Sequence, residues 1–303
     1  MRIFKTVPQF DIMGKKKIAF IISAVLLVAS LVAIVTKGVT YGIDFRGGTL
    51  IQVKFQETPD LSKVRKLFKQ KLKSTVNIST FGEEGHNEVM ITLSQEAVAN
   101  QAGELQKLIK EVLQSDFPGY DIRRVETVGP KVGGELKTNA FQAALYALAG
   151  ILVYIGIRFK FRFGVAAVVA LFHDVTITMG IFVLLEKEFT LTIVAALLTI
   201  IGYSLNDTIV VFDRVRENIA RMPRKGVESV VNISINESMS RTILTSVTTF
   251  IVVLVLFLFG GDIIHDFSFA MLIGLVVGTY SSIFVASPVV IMMDPAARAK
   301  KKD

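Results

Sequence analysis

The sequence predicts an α-helical membrane protein with six transmembrane helices and one ferredoxin-like α+β domain, held on the exported side between the first two helices. Three observations carry that prediction. The chain is 51% hydrophobic and 20% charged, with a mean hydropathy of +0.54, whereas an ordinary soluble domain is roughly 25% charged. Six apolar runs are each long enough for a helix to cross a hydrocarbon core of about 30 Å. Between the first two runs, residues 37–137 return to the mixed charge, turn residues and short periodicities of a soluble fold.

Residues 1–17 form a basic N-terminus with Arg2, Lys5 and Lys15 to Lys17, and residues 18–36 form the first helix. A signal peptide is the other reading of this segment, but the apolar run exceeds the roughly 7–15 residues of a signal core and no A-x-A cleavage site follows. A retained anchor is expected. The remaining helices fall within residues 138–293, as Thr138–Ile157, Phe163–Leu185, Phe189–Phe212, Thr242–Gly260 and Phe267–Met293. Residues 213–241 are expected to be an amphipathic loop on the cytoplasmic surface, and residues 294–303 a basic cytoplasmic tail. Arg158, Lys160 and Arg162, then Arg214, Arg216, Arg221, Arg224 and Lys225, then Arg298 and Lys300 to Lys302 all fall on the side of the N-terminus. The positive-inside rule therefore places both termini in the cytoplasm. The opposite connections, at Glu186 to Glu188 and Asp262 to Asp266, are short and acidic.

Inside the domain, Thr49–Phe55, Val76–Phe81, Glu88–Leu93 and Asp121–Val128 have strand character, while Leu61–Leu72 and Ala97–Leu113 have helical spacing. The order βαββαβ is the split βαβ arrangement. The stretch Gly42-Ile43-Asp44-Phe45-Arg46-Gly47-Gly48 lacks the spacing of a phosphate-binding loop. Gly42, Asp44, Gly47 and Gly48 are read instead as a strand kink or turn, a hinge where the domain joins the first helix.

Composition narrows the chemistry. A net charge of +8 raises nucleic acid as a partner, but Lys and Arg cluster beside apolar runs and form no single patch, so none is expected. With no Cys, and with His86, His173 and His265 far apart in sequence, no metal site or cofactor is expected. The unusual residues are polar groups inside the apolar runs. An Asp at the centre of a membrane helix costs about 2.5–3.5 kcal/mol on insertion scales, so it must face protein or water, be paired, or be neutral. Thr199, Tyr203, Asn206 and Asp207 share one helix face, and Arg241, Thr245 and Thr248 share another at matching depth. A guanidinium beside a carboxylate favours its charged form and desolvation favours the neutral one, so relative movement of Arg241 and Asp207 is the physics of a proton switch. A structural hydrogen bond for Asp207 and a headgroup anchor for Arg241 are the plain alternatives. His173-Asp174 is either a second relay or a self-satisfied packing element. Asp213-Arg214 reads as an interfacial ion pair rather than a relay. Gly274, Gly278 and Ser282 form a small-residue row for close helix packing.

One helix, a ferredoxin-like exported domain and five further helices make half of a resistance-nodulation-division transporter architecture. Tyr41 to Gly48, His173-Asp174, the stretch GYSLNDTIVVFDR from Gly202 to Arg214, and Ser240-Arg241-Thr242 resemble the SecD/SecF family of bacterial protein-export subunits, on its SecF side. The resemblance implies a subunit of the inner membrane that is not an enzyme. It would work with SecD beside the SecYEG channel and use the proton motive force to promote export of an unfolded preprotein. It further implies that Asp207 is the carboxylate of the proton path, with Asn206 beside it, Arg241 the nearby cation, and Asp174 a further member. Arg46 stands where many relatives have a small polar residue. The main rival is a proton-coupled transporter of a small molecule or lipid, which typically needs larger exported domains. An intramembrane aspartyl protease is disfavoured because Leu205-Asn206, not Gly-x-Gly, precedes Asp207.

Overall fold

The computed structural model describes residues 6–72, 76–81, 87–94, 110–111, 113–114, 117 and 119–294. It divides into two compact units, one of residues 1–40, 144–187 and 192–303, the other of residues 41–143 and 188–191. Six helices are long and apolar enough to cross a membrane: Met13–Lys37 (span one), Pro130–Arg158 (span two), Phe161–Leu184 (span three), Leu191–Arg221 (span four), Val227–Phe259 (span five) and Ile263–Met292 (span six).

Two of the sequence-predicted boundaries move. Span two starts at Pro130, not Thr138, because Pro is pre-organised for a first helical turn and the polar turns that follow are helical without being apolar. Residues 213–241 are not a surface loop: spans four and five run on to Arg221 and back to Val227, so only the short connection at residues 222–226 separates them. The reason is burial, since Val215, Val231 and Ile235 on these extensions all enter the core of the first unit. That core is built on Phe159, Phe163 and Phe212, with Phe163 and Phe212 edge to face at 5.1 Å, and on the small residues Ala166, Ala167 and Ala170 of span three.

Glycines set the closest approaches between spans. A Cβ on Gly180 would lie 2.2 Å from the Cβ of Ser30, which brings spans three and one into backbone contact. Gly274 and Gly278 receive Ile200 and Ser204 of span four, so the small-residue row packs as its spacing predicts. Span six is interrupted by a π-helical turn at Ser282–Ala286. Pro288 accounts for it: the ring has no N–H to give Phe284 and would press on that carbonyl, and a widened turn relieves both problems. The Ser287 hydroxyl donates to the Ser282 carbonyl at 2.9 Å.

The second unit contains a four-stranded antiparallel sheet in the order β2-β3-β1-β4, formed by β1 (Gly48–Phe55), β2 (Val76–Phe81), β3 (Glu88–Leu93) and β4 (Tyr120–Val128). This is the strand order of the split βαβ fold predicted from the sequence. The helix Leu61–Leu72 covers one face through Val64 and Phe68, which meet Ile51, Val53, Ile78, Val89, Ile91 and Leu93. The expected second helix, Ala97–Leu113, lies largely outside the described residues, as does the basic tail beyond Asp294.

Candidate functional site

The carboxylate of Asp207 is buried, 6% exposed, at the meeting of three spans. Its Oδ1 accepts from Thr242 Oγ1 of span five at 2.7 Å, and its Oδ2 accepts from Ser282 Oγ at 2.5 Å on the π turn of span six. Helical geometry explains the choice: Ser204, Asp207 and Thr208 lie on the face of span four that packs inward, and all three are buried. Ser204 turns to the second acid. Asp174, fully buried, accepts from Ser204 Oγ at 2.5 Å and Ser281 Oγ at 2.8 Å through Oδ2. Its Oδ1 meets His173 Nδ1 at 2.9 Å. His173 Nε2 continues to Ser23 Oγ of span one at 3.2 Å, and Ser23 to the Tyr280 hydroxyl at 3.1 Å. Consecutive serines at the start of the π turn thus serve two different buried acids.

Arg241 is not part of this buried set. Among the described residues no ion pair joins it to Asp207; the carboxylate is held by hydroxyls, while Arg241 and Thr245 lie on an exposed face of span five. Asn206 is likewise exposed, one position from the buried Asp207. Tyr203 is half-buried, and its enclosed hydroxyl has no hydrogen-bond partner among the described residues. The predicted polar stripes therefore split: Asp207 and Thr242 turn inward, whereas Asn206 and Arg241 line an open pocket of about 850 Å³ together with Asp213, Arg214, Glu217 and Glu237. Asp213 and Arg214 do not pair with each other, because neighbours on a helix point about 100° apart. Asp213 pairs with Arg158 at 2.9 Å and Arg216 at 3.2 Å, while Arg214 pairs with Glu217 at 3.0 Å and Glu237 at 3.2 Å.

Asn232 and Asn236 of span five hold the chain just before span one. The Asn236 amide accepts from Phe10 N and donates to Phe10 O, each at 2.9 Å, and Asn232 accepts from Ile12 N at 2.9 Å. Thr6, Val7 and Pro8 of this segment form one wall of the pocket.

The glycine-rich stretch contains more than a kinked strand. Tyr41 bridges to Phe189 in parallel, Ile43–Arg46 forms one helical turn, and Gly47 (φ +73°) and Gly48 (φ +132°) lead into β1 with backbone angles that other residues resist. Asp44 Oδ2 accepts from the backbone N–H of Leu191, the first residue of span four, at 2.8 Å.

Sequence reasoning found both buried acids but missed the hydroxyls of Ser204, Ser281 and Ser282 as their partners. The signal was present as serines within otherwise apolar runs, which in a membrane point towards an internal acceptor.

Together these features define a polytopic membrane protein with a split βαβ domain and a polar network threaded through its helix core. Residues 108–296 match the model of the protein export membrane protein SecD/SecF C-terminal family, and residues 32–59 match the SecD/SecF GG motif. The chain is 47% identical to the protein translocase subunit SecF of Magnetococcus marinus, with 99% of this chain and 97% of that one aligned. It is 44% identical to the same subunit of Haemophilus influenzae, over 92% and 84% of the two chains. The crystal structure of SecDF, a translocon-associated membrane protein from Thermus thermophilus, superposes with a TM-score of 0.85 at 34% identity. That match takes in 99% of this chain but 40% of the SecDF chain. The chain belongs to the SecD/SecF family of protein export membrane proteins. Its relatives are named as translocase subunits and not as enzymes.

Proposed function

We propose that the chain is the SecF-type half of a protein-export motor that works with SecD and uses the proton motive force to promote movement of preproteins through SecYEG. One observation carries the proposal: Asp207 is a carboxyl group buried where three spans meet, and among the described residues its hydrogen bonds come from hydroxyls. Hydroxyls can donate to a carboxylate and accept from a carboxylic acid, so both protonation states can be satisfied there. A fixed cation at the same place would hold one state. In this reading the small domain is exported, both termini are cytoplasmic, and the proton is the coupling ion.

The exposed polar residues support a second subunit. Asn206, Arg241 and Thr245 are poorly suited to hydrocarbon, and a partner in the membrane would cover them. SecD is the partner the family implies. As that partner or a shift of span five brings Arg241 closer, the charged form of Asp207 is favoured; as it recedes, the neutral form is favoured. One charge crossing 100 mV supplies about 2.3 kcal/mol, enough to bias a conformational equilibrium and to do work by repeated cycles. Asp174, in its own hydroxyl and imidazole cage, is a further proton-holding group of the same network.

The test is export of a preprotein already partly through SecYEG, in vesicles containing SecD and either the native chain or Asp207→Asn. The Asn variant should assemble normally, keep gradient-independent export and lose the gradient-dependent part. Unchanged gradient dependence would refute the assignment of Asp207.

A further inference from the structure

We infer that Asp44 is a positioning residue that clamps the amino end of span four to the joint leading into the small domain, making the two one moving part. The inference rests on the proposed role of Asp207 for its functional side, because span four is the helix that bears that acid.

The first N–H groups of any helix lack intrahelical acceptors, and the helix dipole favours negative charge beside them. In span four the acceptor for Leu191 N–H comes not from the preceding residues but from Asp44, 147 positions earlier. A backbone-to-backbone bond, Gly42 N–H to Phe189 O at 3.0 Å, ties the strand-like bridge just before it. Three rings close over the bonds: Phe45 stacks on Phe189 at 5.8 Å, and Tyr41 meets each of them edge-on at 6.0 Å. The spacing of the stretch now has a reason. A Cβ at Gly42 would lie 2.9 Å from Thr190 Cγ2, so a side chain there would push Thr190 away from the bridge. At the other end, a Cβ on Gly133 would come within 3.4 Å of Asp44 O and 3.3 Å of Gly47 N, so the start of span two packs on the same turn. With a backbone bond, a carboxylate cap and an aromatic cluster, the joint is a clamp and not a free hinge. Displacement of span four is delivered through it to the strand that begins at Gly48.

The chain has no Cys, which permits a direct test in the full chain with SecD in proteoliposomes. Tyr41 and Phe189 are bridge partners, and neighbouring strands about 4.8 Å apart suit a disulfide. Asp44→Ala should speed hydrogen exchange in residues 188–195 by about tenfold, with Asp44→Asn, which keeps an acceptor but loses the charge, falling between. Asp44→Ala should also lose most gradient-dependent export, and oxidation of an added Tyr41→Cys/Phe189→Cys pair should restore it. In an otherwise native chain the oxidised pair should export at the rate of the reduced pair. Normal gradient-dependent export by Asp44→Ala, or arrest of export on oxidation of the pair, would overturn the clamp. Failure of the Asp207 reading shows up separately, as unchanged export by Asp207→Asn while the exchange effect of Asp44→Ala persists.

Discussion

Asp207 and Asp174 show how an acid is kept among membrane helices when, among the described residues, no lysine or arginine forms an ion pair with it. Each carboxylate receives hydroxyl donors from other spans, and Asp174 adds an imidazole. Removing a hydroxyl should then act through the acid it serves. Ser282→Ala and Thr242→Val are each expected to destabilise the protein by about 0.6–1.7 kcal/mol, the range for interhelical hydrogen bonds in membranes and not the larger one for soluble cores. Denaturation in mixed micelles measures it. In Asp207→Asn the loss from Ser282→Ala should shrink, since the donor then faces an amide and not a carboxyl group; equal losses in both backgrounds would show that Ser282 acts by packing alone. At the pocket, Arg158→Ala removes an ion pair that is about a third exposed on each side. Its expected cost is about 1 kcal/mol or less, screened further by salt.

The helices are placed by absences of side chain as much as by apolar area. Gly180 and Gly202 make a controlled comparison, because both are glycines inside membrane spans. Gly180 faces Ser30 at contact distance, while a Cβ on Gly202 would meet nothing within 4 Å. Gly180→Ala should force spans one and three apart and cost about 1–3 kcal/mol, and Gly202→Ala should be neutral or stabilising by up to about 1 kcal/mol. Thermal denaturation in detergent ranks them; equal effects would count against the packing assigned to Gly180. Much of this level was legible in the sequence. Six apolar runs, the alternation of the strands and the row Gly274, Gly278, Ser282 all report burial by local periodicity, and the structure places them accordingly. Helix ends were less legible, because Val215 and Val231 look like scattered apolar residues until their mutual packing is seen. At the site, spacing put Asn206 and Asp207 on one face, yet 100° of helix rotation separates them, and it is tertiary packing that buries one and exposes the other. The link from Asp44 to Leu191 was invisible, as no local pattern encodes a cap supplied from 147 residues away.

At the scale of the whole molecule, the six candidate spans among the described residues, if each crosses the membrane, return the chain to the side on which it began. Single cysteines placed at Lys225 and at Glu57 should therefore react with an impermeant maleimide from opposite sides of the membrane, Lys225→Cys in inverted vesicles and Glu57→Cys in right-side-out cells. Labelling of both from one side would contradict the six-span path. The face bearing Asn206 and Arg241 should form disulfides with cysteines in SecD when each is replaced in turn, whereas Phe141→Cys, on an apolar and exposed stretch of span two, should not. Stiffness, finally, is unevenly distributed in such a molecule. Five spans are continuous hydrogen-bonded rods, but the sixth has a wide turn at Ser282–Ala286 whose hydrogen bonds can be exchanged with those of the adjoining turns. A wide turn that shifts by a residue twists the rod on one side of it relative to the other while most backbone bonds survive. Torsional compliance is thus concentrated beside Ser281 and Ser282, the two residues that each touch a different buried acid. A small twist of that helix would displace the hydroxyls bonded to both acids together.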